Sequence, residues 1–298
     1  MSKLNKIIIF LLFTFSLFVG LFIGEDATGG AKMDFINLSK YSLKFNQDFH
    51  EGINFFTLNT GSIIHSPTFY ILIGSLLNIF DEIVFVKIIY IFISCVLPFL
   101  FFKILKIKND EKEIIIYLLG LIIFISPYFR ASAIWLLGDN LSLIFFSFSI
   151  YFFLKTQSNS QKISDYYLCL IFLILCCYIR YYYCLFAIFY LLNFKDKLSI
   201  KNFIFLLSIC TLLSLPALYY LKFIIFEKDF FNKITVPILK FNFLSNSLII
   251  FSIITFYLVP LIIFKLPTIF NYYKNNIKYF LWLTMPIIII FFLDYFLY

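Results

Sequence analysis

Residues 166–194 read YYLCLIFLILCCYIRYYYCLFAIFYLLNF, a run in which Arg180 is the single charged side chain. As one straight helix it would be about 43 Å long at 1.5 Å per residue, more than a hydrocarbon core of roughly 30 Å accepts without steep tilt. An arginine facing lipid at the bilayer centre costs about 2.5 to 3.5 kcal/mol, so the residue has to reach the interface or a polar cavity. Both constraints are met by a re-entrant pair of short helices that turns near Arg180 at the outer face and brings Lys195, Lys197 and Lys201 back to the cytoplasmic side.

The rest of the chain follows the same pattern. Hydrophobic residues make up 62% of the 298 positions and charged residues 13%, with a mean hydropathy of +0.97; soluble domains are about 45 to 50% apolar and about 25% charged. The expected fold is all-α, a polytopic transmembrane bundle of about eight or nine membrane helices with an interfacial helix in its first outer loop and no soluble domain. The net charge of +8 is scattered in ones to threes between apolar runs. It forms no basic stripe for nucleic acid and is read as setting topology and meeting anionic headgroups. Of the 24 cations only Arg130 and Arg180 are arginines. The six cysteines lie inside apolar runs without metal-ligand spacing and are read as small core residues.

The organisation follows from counting lysines. Ile7–Ile23 carries no charge and is preceded by Lys3 and Lys6, which suits a retained signal anchor with a cytoplasmic N-terminus. Residues 24–82 then form the first extracytoplasmic loop, in which Pro67–Phe80 is apolar but short and bounded by Asp81 and Glu82. If that segment lies along the interface, Ile83–Phe102 runs inward and Lys103, Lys106, Lys108 and Lys112 fall in the cytoplasm; if it crosses, they all move outside. The interfacial reading is adopted. Ile114–Phe129 then runs outward, residues 130–140 form a second outer loop, Leu141–Leu154 runs inward, and Phe203–Leu221 exits. A further outer loop spans Phe226–Ser247, and Leu248–Phe264 and Tyr279–Leu297 are the last crossings. With the chain ending in an apolar run, the expectation is a truncated or minimal member of a larger family.

Under this topology the unusual polar groups face outward. Glu25, Asp26 and Asp34 follow the first helix, where low dielectric strengthens the interactions of a carboxylate and glycines admit close approach of a backbone or ligand; a solvated helix exit reads the same way. Arg130 and Asp139 flank the second outer loop, and Asp139 or Asn140 could equally cap the helix that follows. Two arginines near the outer boundary suit a phosphate, which the guanidinium fork grips in bidentate fashion.

In this order the features resemble the GT-C superfamily of polytopic glycosyltransferases, including its mannosyl- and arabinosyltransferases, which use polyprenyl-phosphate-linked sugars. The resemblance is carried by Glu25-Asp26 to Asp34-Phe35, by His65-Ser66-Pro67-Thr68-Phe69-Tyr70-Ile71-Leu72, by Arg130–Leu143 (RASAIWLLGDNLSL), and by Arg180 with Tyr181 and its neighbouring tyrosines, and it covers about residues 1–200. It implies an inverting transfer at the outer face of a bacterial inner membrane, from a polyprenyl-phosphate sugar to a lipid or glycan acceptor. Asp26 would be the general base with Glu25 as the alternative, and Asp139 the second acidic residue. Arg130 and Arg180 would neutralise the phosphate, with Asp34, His65 and Tyr181 among the substrate contacts, and neither metal nor cofactor is expected. A lipid-carrier transporter, in which arginines bind phosphate and carboxylates gate, would instead spread polar residues through the midplane, where only Lys87 and Asp294 interrupt the runs. A catalytically dead membrane scaffold is the other rival.

Overall fold

The computed structural model describes residues 3–58, 66–108, 113–158 and 162–226, all within one compact unit, Met1–Phe230. Expectations for His65, Lys112 and everything beyond residue 226 lie outside the described residues. Every described element is a helix. Helix α1 (Lys3–Ile23) is followed by α2 (Ala31–Gln47), α3 (Phe49–Leu58) and α4 (Thr68–Phe80), then by α5 (Ile83–Ser94) and α6 (Val96–Lys108). Helix α7 (Glu113–Leu121) continues into the 3-10 turn Ile122–Ile125, and α8 (Pro127–Ile134) leads to α9 (Gly138–Thr156). The chain goes on through α10 (Ile163–Cys177), the 3-10 turn Tyr181–Cys184, α11 (Leu185–Lys195) and α12 (Ile200–Phe226).

Among the described residues three helices are long and apolar enough to cross a membrane, Lys3–Ile23, Ile83–Ile107 and Ile200–Ala217, and a fourth span is counted if the bent pair Glu113–Ile125 and Pro127–Ile134 is taken as one. Helices of this length and hydropathy are compatible with a membrane protein. They bury narrow stripes and expose large apolar side chains: α1 buries Thr14, Leu17 and Gly20 while Leu11, Phe15 and Phe22 stay exposed, as expected where lipid rather than water is the solvent.

Ion pairs and hydrogen bonds mark the two ends of the bundle. Lys6, at the start of α1, pairs with Glu113 at the start of α7 (3.0 Å), and Lys106, late in α6, lies 3.9 Å from the same carboxylate. Lys197, just past α11, donates to Thr156 O and Gln157 Oε1 at the end of α9 (3.2 and 2.6 Å). These contacts define a lysine end. At the opposite end Glu25, just past α1, meets Arg130 in α8, and Asp139, in the first turn of α9, meets Arg180, just past α10. Lys87, one turn into α5, touches Trp135 there as well. Because α1 leaves and α5 begins at this arginine end, α2, α3 and α4 return to the end from which they set out. Phe69, early in α4, lies against Gly138 at the start of α9, and α4 ends directly before α5, so this helix begins and ends near the arginine end.

Two local expectations need correction. Ile114–Phe129 is not one straight helix. Ser126 accepts from Phe129 N (3.5 Å), and Pro127, which has no N–H to give, occupies the first turn; this start signal opens a new helix, bent by 62° from the one before. Arg130 consequently lies within α8, and Asp139 within α9, not in a loop. Cys184 is exposed and no core residue, whereas Cys95, Cys169 and Cys176 are buried. By contrast the run 166–194 does break where the length argument requires. Helix α10 stops at Cys177, and Arg180 adopts an extended backbone (φ −133°, ψ 94°) before α11 returns to the lysine end.

Candidate functional site

The arginine end is organised by how α1 stops. Gly24 takes φ +67°, the Glu25 N–H reaches back to Gly20 O (2.8 Å) and the Gly24 N–H to Leu21 O (3.3 Å). This paired closure folds the chain back on the helix end and lays the Glu25 side chain along α1. Arg130 receives it in a two-pronged grip, Nε on Oε1 (2.6 Å) and Nη2 on Oε2 (2.5 Å). Two more of its five N–H donors are engaged, Nη1 with Ser16 Oγ (3.0 Å) and Nη2 with Ser16 O (3.2 Å), while Trp135 Nε1 donates to Glu25 O (2.7 Å). A Cβ on Gly20 would stand 2.5 Å from Glu25 Oε2 and 2.7 Å from Ile134 Cδ1. Glycine is therefore the residue that lets the clasp close. Hydrogen bonding from Arg130 holds the Glu25 carboxyl below its ordinary range against the opposing effect of burial. That makes it a weak base, and the clasp leaves Arg130 no open fork for a phosphate.

Asp26 has a different occupation. Its carboxylate accepts from the backbone N–H groups of Ala31 (3.1 Å) and Lys32 (3.4 Å), so it caps the first turn of α2, where unpaired donors and the helix dipole favour an anion. The glycines beside it do not serve close approach, because a Cβ on Gly29 or Gly30 would meet open space. Gly29 serves the turn itself, at φ +74°.

The second pair is held more loosely. Arg180 Nε and Nη2 both converge on Oδ1 of Asp139 (2.9 and 2.8 Å). Oδ2 has no hydrogen bond among the described residues, and the Asp139 side chain is 45% exposed against 11% for Arg180. Neither Asp139 nor Asn140 caps α9, whose N-cap is Leu137. Asn140 is buried and donates instead to Ser94 Oγ (3.2 Å) and Phe129 O (3.0 Å). Around it Ser132 Oγ and Tyr90 OH both donate to Leu137 O (2.8 and 2.5 Å). This polar knot fixes the α8–α9 corner, where Leu136 takes φ +53°, and thereby the direction of Asp139.

Asp34 is exposed in the first turn of α2. Tyr70, buried on α4, feels Asp34, Asp139 and Arg180 together, which places the three charges in one neighbourhood; burial pushes its phenol up, so it stays a neutral hydroxyl. Tyr181 turns to the surface with its ring edge-on to Tyr182 (6.2 Å). No family model matches the chain, and no curated protein and no solved structure matches it.

Two features of this end were not foreseen. One is an apolar cavity of about 270 Å³ between α2, α4 and α5, with Phe35, Leu38, Tyr70, Ile73 and Ile83 in its wall. The other is Lys87, whose ammonium lies 4.1 Å from the ring centroid of Phe35 and 4.2 Å from that of Trp135. Its position was legible: Val86, Lys87, Tyr90, Ile91 and Ser94 form the buried stripe of α5, a helical period that turns the lysine inward.

Proposed function

We propose that this chain is a GT-C-like glycosyltransferase, a bundle of about eight or nine membrane helices, that moves a sugar with inversion from a polyprenyl-phosphate donor to a lipid or glycan acceptor. The observation that carries this reading is Asp139: one oxygen is held by Arg180 and the other left open, beside an apolar cavity and a set of cations at one end of the bundle. A general base needs that combination of fixed direction and a free lone pair. Asp139 Oδ2 would take the proton of the acceptor hydroxyl as its oxygen attacks the sugar carbon from the face opposite the phosphate. Arg180 positions the carboxylate and supplies positive charge near the departing phosphate. Asp26 stands as the alternative base, at the cost of uncapping α2, and Asp34 as a contact to acceptor or sugar. Positive-inside logic puts the lysine end in the cytoplasm of a bacterial inner membrane and the reaction on the outer side. The grouping of charge at the two ends favours transfer over a carrier that gates through the midplane.

The test is sugar transfer by purified full-length protein in nanodiscs, from a radiolabelled polyprenyl-phosphate sugar to extracted lipid. Transfer by the wild type that falls at least about 100-fold in Asp139→Asn supports the reading. Equal transfer by both would remove Asp139 from the role, and donor binding without any transfer would leave the carrier alternative.

A further inference from the structure

Lys87 has no charge partner of opposite sign among the described residues. Among the described residues its ammonium makes no hydrogen bond or ion pair, and its contacts are the faces of Phe35 and Trp135. The residue is 8% exposed. The charged side chain it feels is another cation, Lys32, whose own ammonium stands 5.9 Å over the Trp135 ring. Glu25 and Asp26 are close in sequence to Lys32 but committed elsewhere, the one to Arg130 and the other to the start of α2. Two ring faces return part of what dehydrating an ammonium costs, yet two like charges beside a desolvated site remain without an anion, an arrangement that favours binding one.

The apolar cavity adds the second half of the argument. Phe35 belongs both to its wall and to the aromatic box around Lys87. Ile83, also in the wall, is one helical turn before Lys87 on the same face of α5. The cation therefore adjoins the cavity wall through Phe35 and Ile83. Hydrocarbon on one side and two ammonium groups on the other match an amphiphile with an apolar chain and a phosphate head.

We propose that Lys87 and Lys32 bind the phosphate of a membrane amphiphile whose first chain segment occupies the cavity between α2, α4 and α5. The phosphate lies between the two ammonium groups beside Trp135, and the proximal hydrocarbon packs on Phe35, Ile83 and Tyr70. The inference rests on the transferase reading for the identity of the natural amphiphile, the prenyl-linked donor; its own test needs no turnover.

The test measures binding of farnesyl phosphate to the full-length protein in nanodiscs, by native mass spectrometry and by quenching of tryptophan fluorescence. Lys87→Met should weaken binding at least tenfold and Lys32→Met about threefold, with farnesol and inorganic phosphate competing poorly. Lys32 is exposed, so Lys32→Met keeps the question decidable if Lys87→Met does not fold. Unchanged affinity in Lys32→Met and in a folded Lys87→Met overturns the site. Equal competition by inorganic phosphate overturns the amphiphile and leaves an anion site without use of the cavity, whereas equal competition by phosphatidylglycerol would replace the prenyl chain by an ordinary lipid headgroup and overturn the identification of the donor. Binding that depends on Lys87 in a protein that transfers no sugar leaves this site standing while the transferase reading falls.

Discussion

The two arginine–carboxylate pairs at one end of the bundle differ in what they leave over. In the Glu25–Arg130 clasp both carboxylate oxygens and every guanidinium nitrogen have partners, and the side chains are 22% and 18% exposed. In the Asp139–Arg180 pair two nitrogens share one oxygen, and the carboxylate is 45% exposed. The saturated pair ties α1 to α8 and has no open two-pronged fork to offer a ligand. A half-saturated pair, aimed by the Asn140–Ser132–Tyr90 knot, has a direction and an open lone pair. The same residue types are thus divided between holding the fold and meeting a substrate, and mutation should separate the two.

The largest effect is expected at Asp139. Asp139→Asn keeps volume and a hydrogen bond from Arg180 but loses the base, so transfer should fall by about 10² to 10⁴-fold with the melting temperature in nanodiscs little changed. Glu25→Gln should do the reverse. It breaks a partly buried, fully hydrogen-bonded pair and leaves Arg130 uncompensated, at a cost of about 3 kcal/mol of stability, while the activity of the molecules still folded persists. If Glu25→Gln abolished transfer in a well-folded protein and Asp139→Asn only lowered the melting temperature, the assignment of roles would be inverted.

Gly20→Ala sharpens the comparison without touching a charge. The added methyl would fall 2.5 Å from Glu25 Oε2 and 3.2 Å from Arg130 Nη2, so the clasp must shift or α1 must move away. Overpacking of this kind costs about 1 to 3 kcal/mol, visible as a lower melting temperature. A neutral outcome would mean that the clasp tolerates displacement and is not what joins α1 to α8.

What could be read from the sequence depended on whether one segment contained the whole reason. The break at Arg180 was legible because an apolar run of known length and one charge conflict with a bilayer of known thickness. Ser126-Pro127 is an equally local signal, a capping serine before a helix-opening proline, yet it sits inside an apolar run long enough for one crossing, and that run masks the bend. Helices α2 and α3 fell in a stretch of mixed polarity, where no bilayer argument applies. The site divides in the same way. Glu25, Asp26, Asp34, Arg130, Asp139 and Arg180 do come to one end, but which carboxylate faces which arginine is decided by contacts across more than a hundred residues of sequence in one case, and no spacing rule carries that. Asp26 caps a helix that starts five residues later, outside the usual three-residue capping pattern. Lys87 was visible as a lone charge, and only the inward stripe of α5 says where that charge goes.

The smallest expected effect is a pH dependence confined to the saturated pair. The hydrogen bond from Arg130 places the folded Glu25 carboxyl below its ordinary value, so the clasp stabilises the protein fully above the unfolded glutamate value, about 4.3, and that contribution is lost as the pH falls through the lower folded value. Glu25→Gln has no carboxyl to titrate at this position. Melting curves of wild type and Glu25→Gln, measured in nanodiscs from neutral pH down to about pH 3, should therefore differ most at the neutral end and converge as the acid limb is entered, whatever the other carboxylates contribute in common to both proteins. Packing differences between a carboxylate and an amide do not vary with pH, so a gap that stayed constant throughout would assign the whole cost of Glu25→Gln to shape and none to charge. The clasp would then hold α1 to α8 through its hydrogen-bond geometry alone, and the contrast with the half-open Asp139 pair would rest on saturation and not on electrostatics.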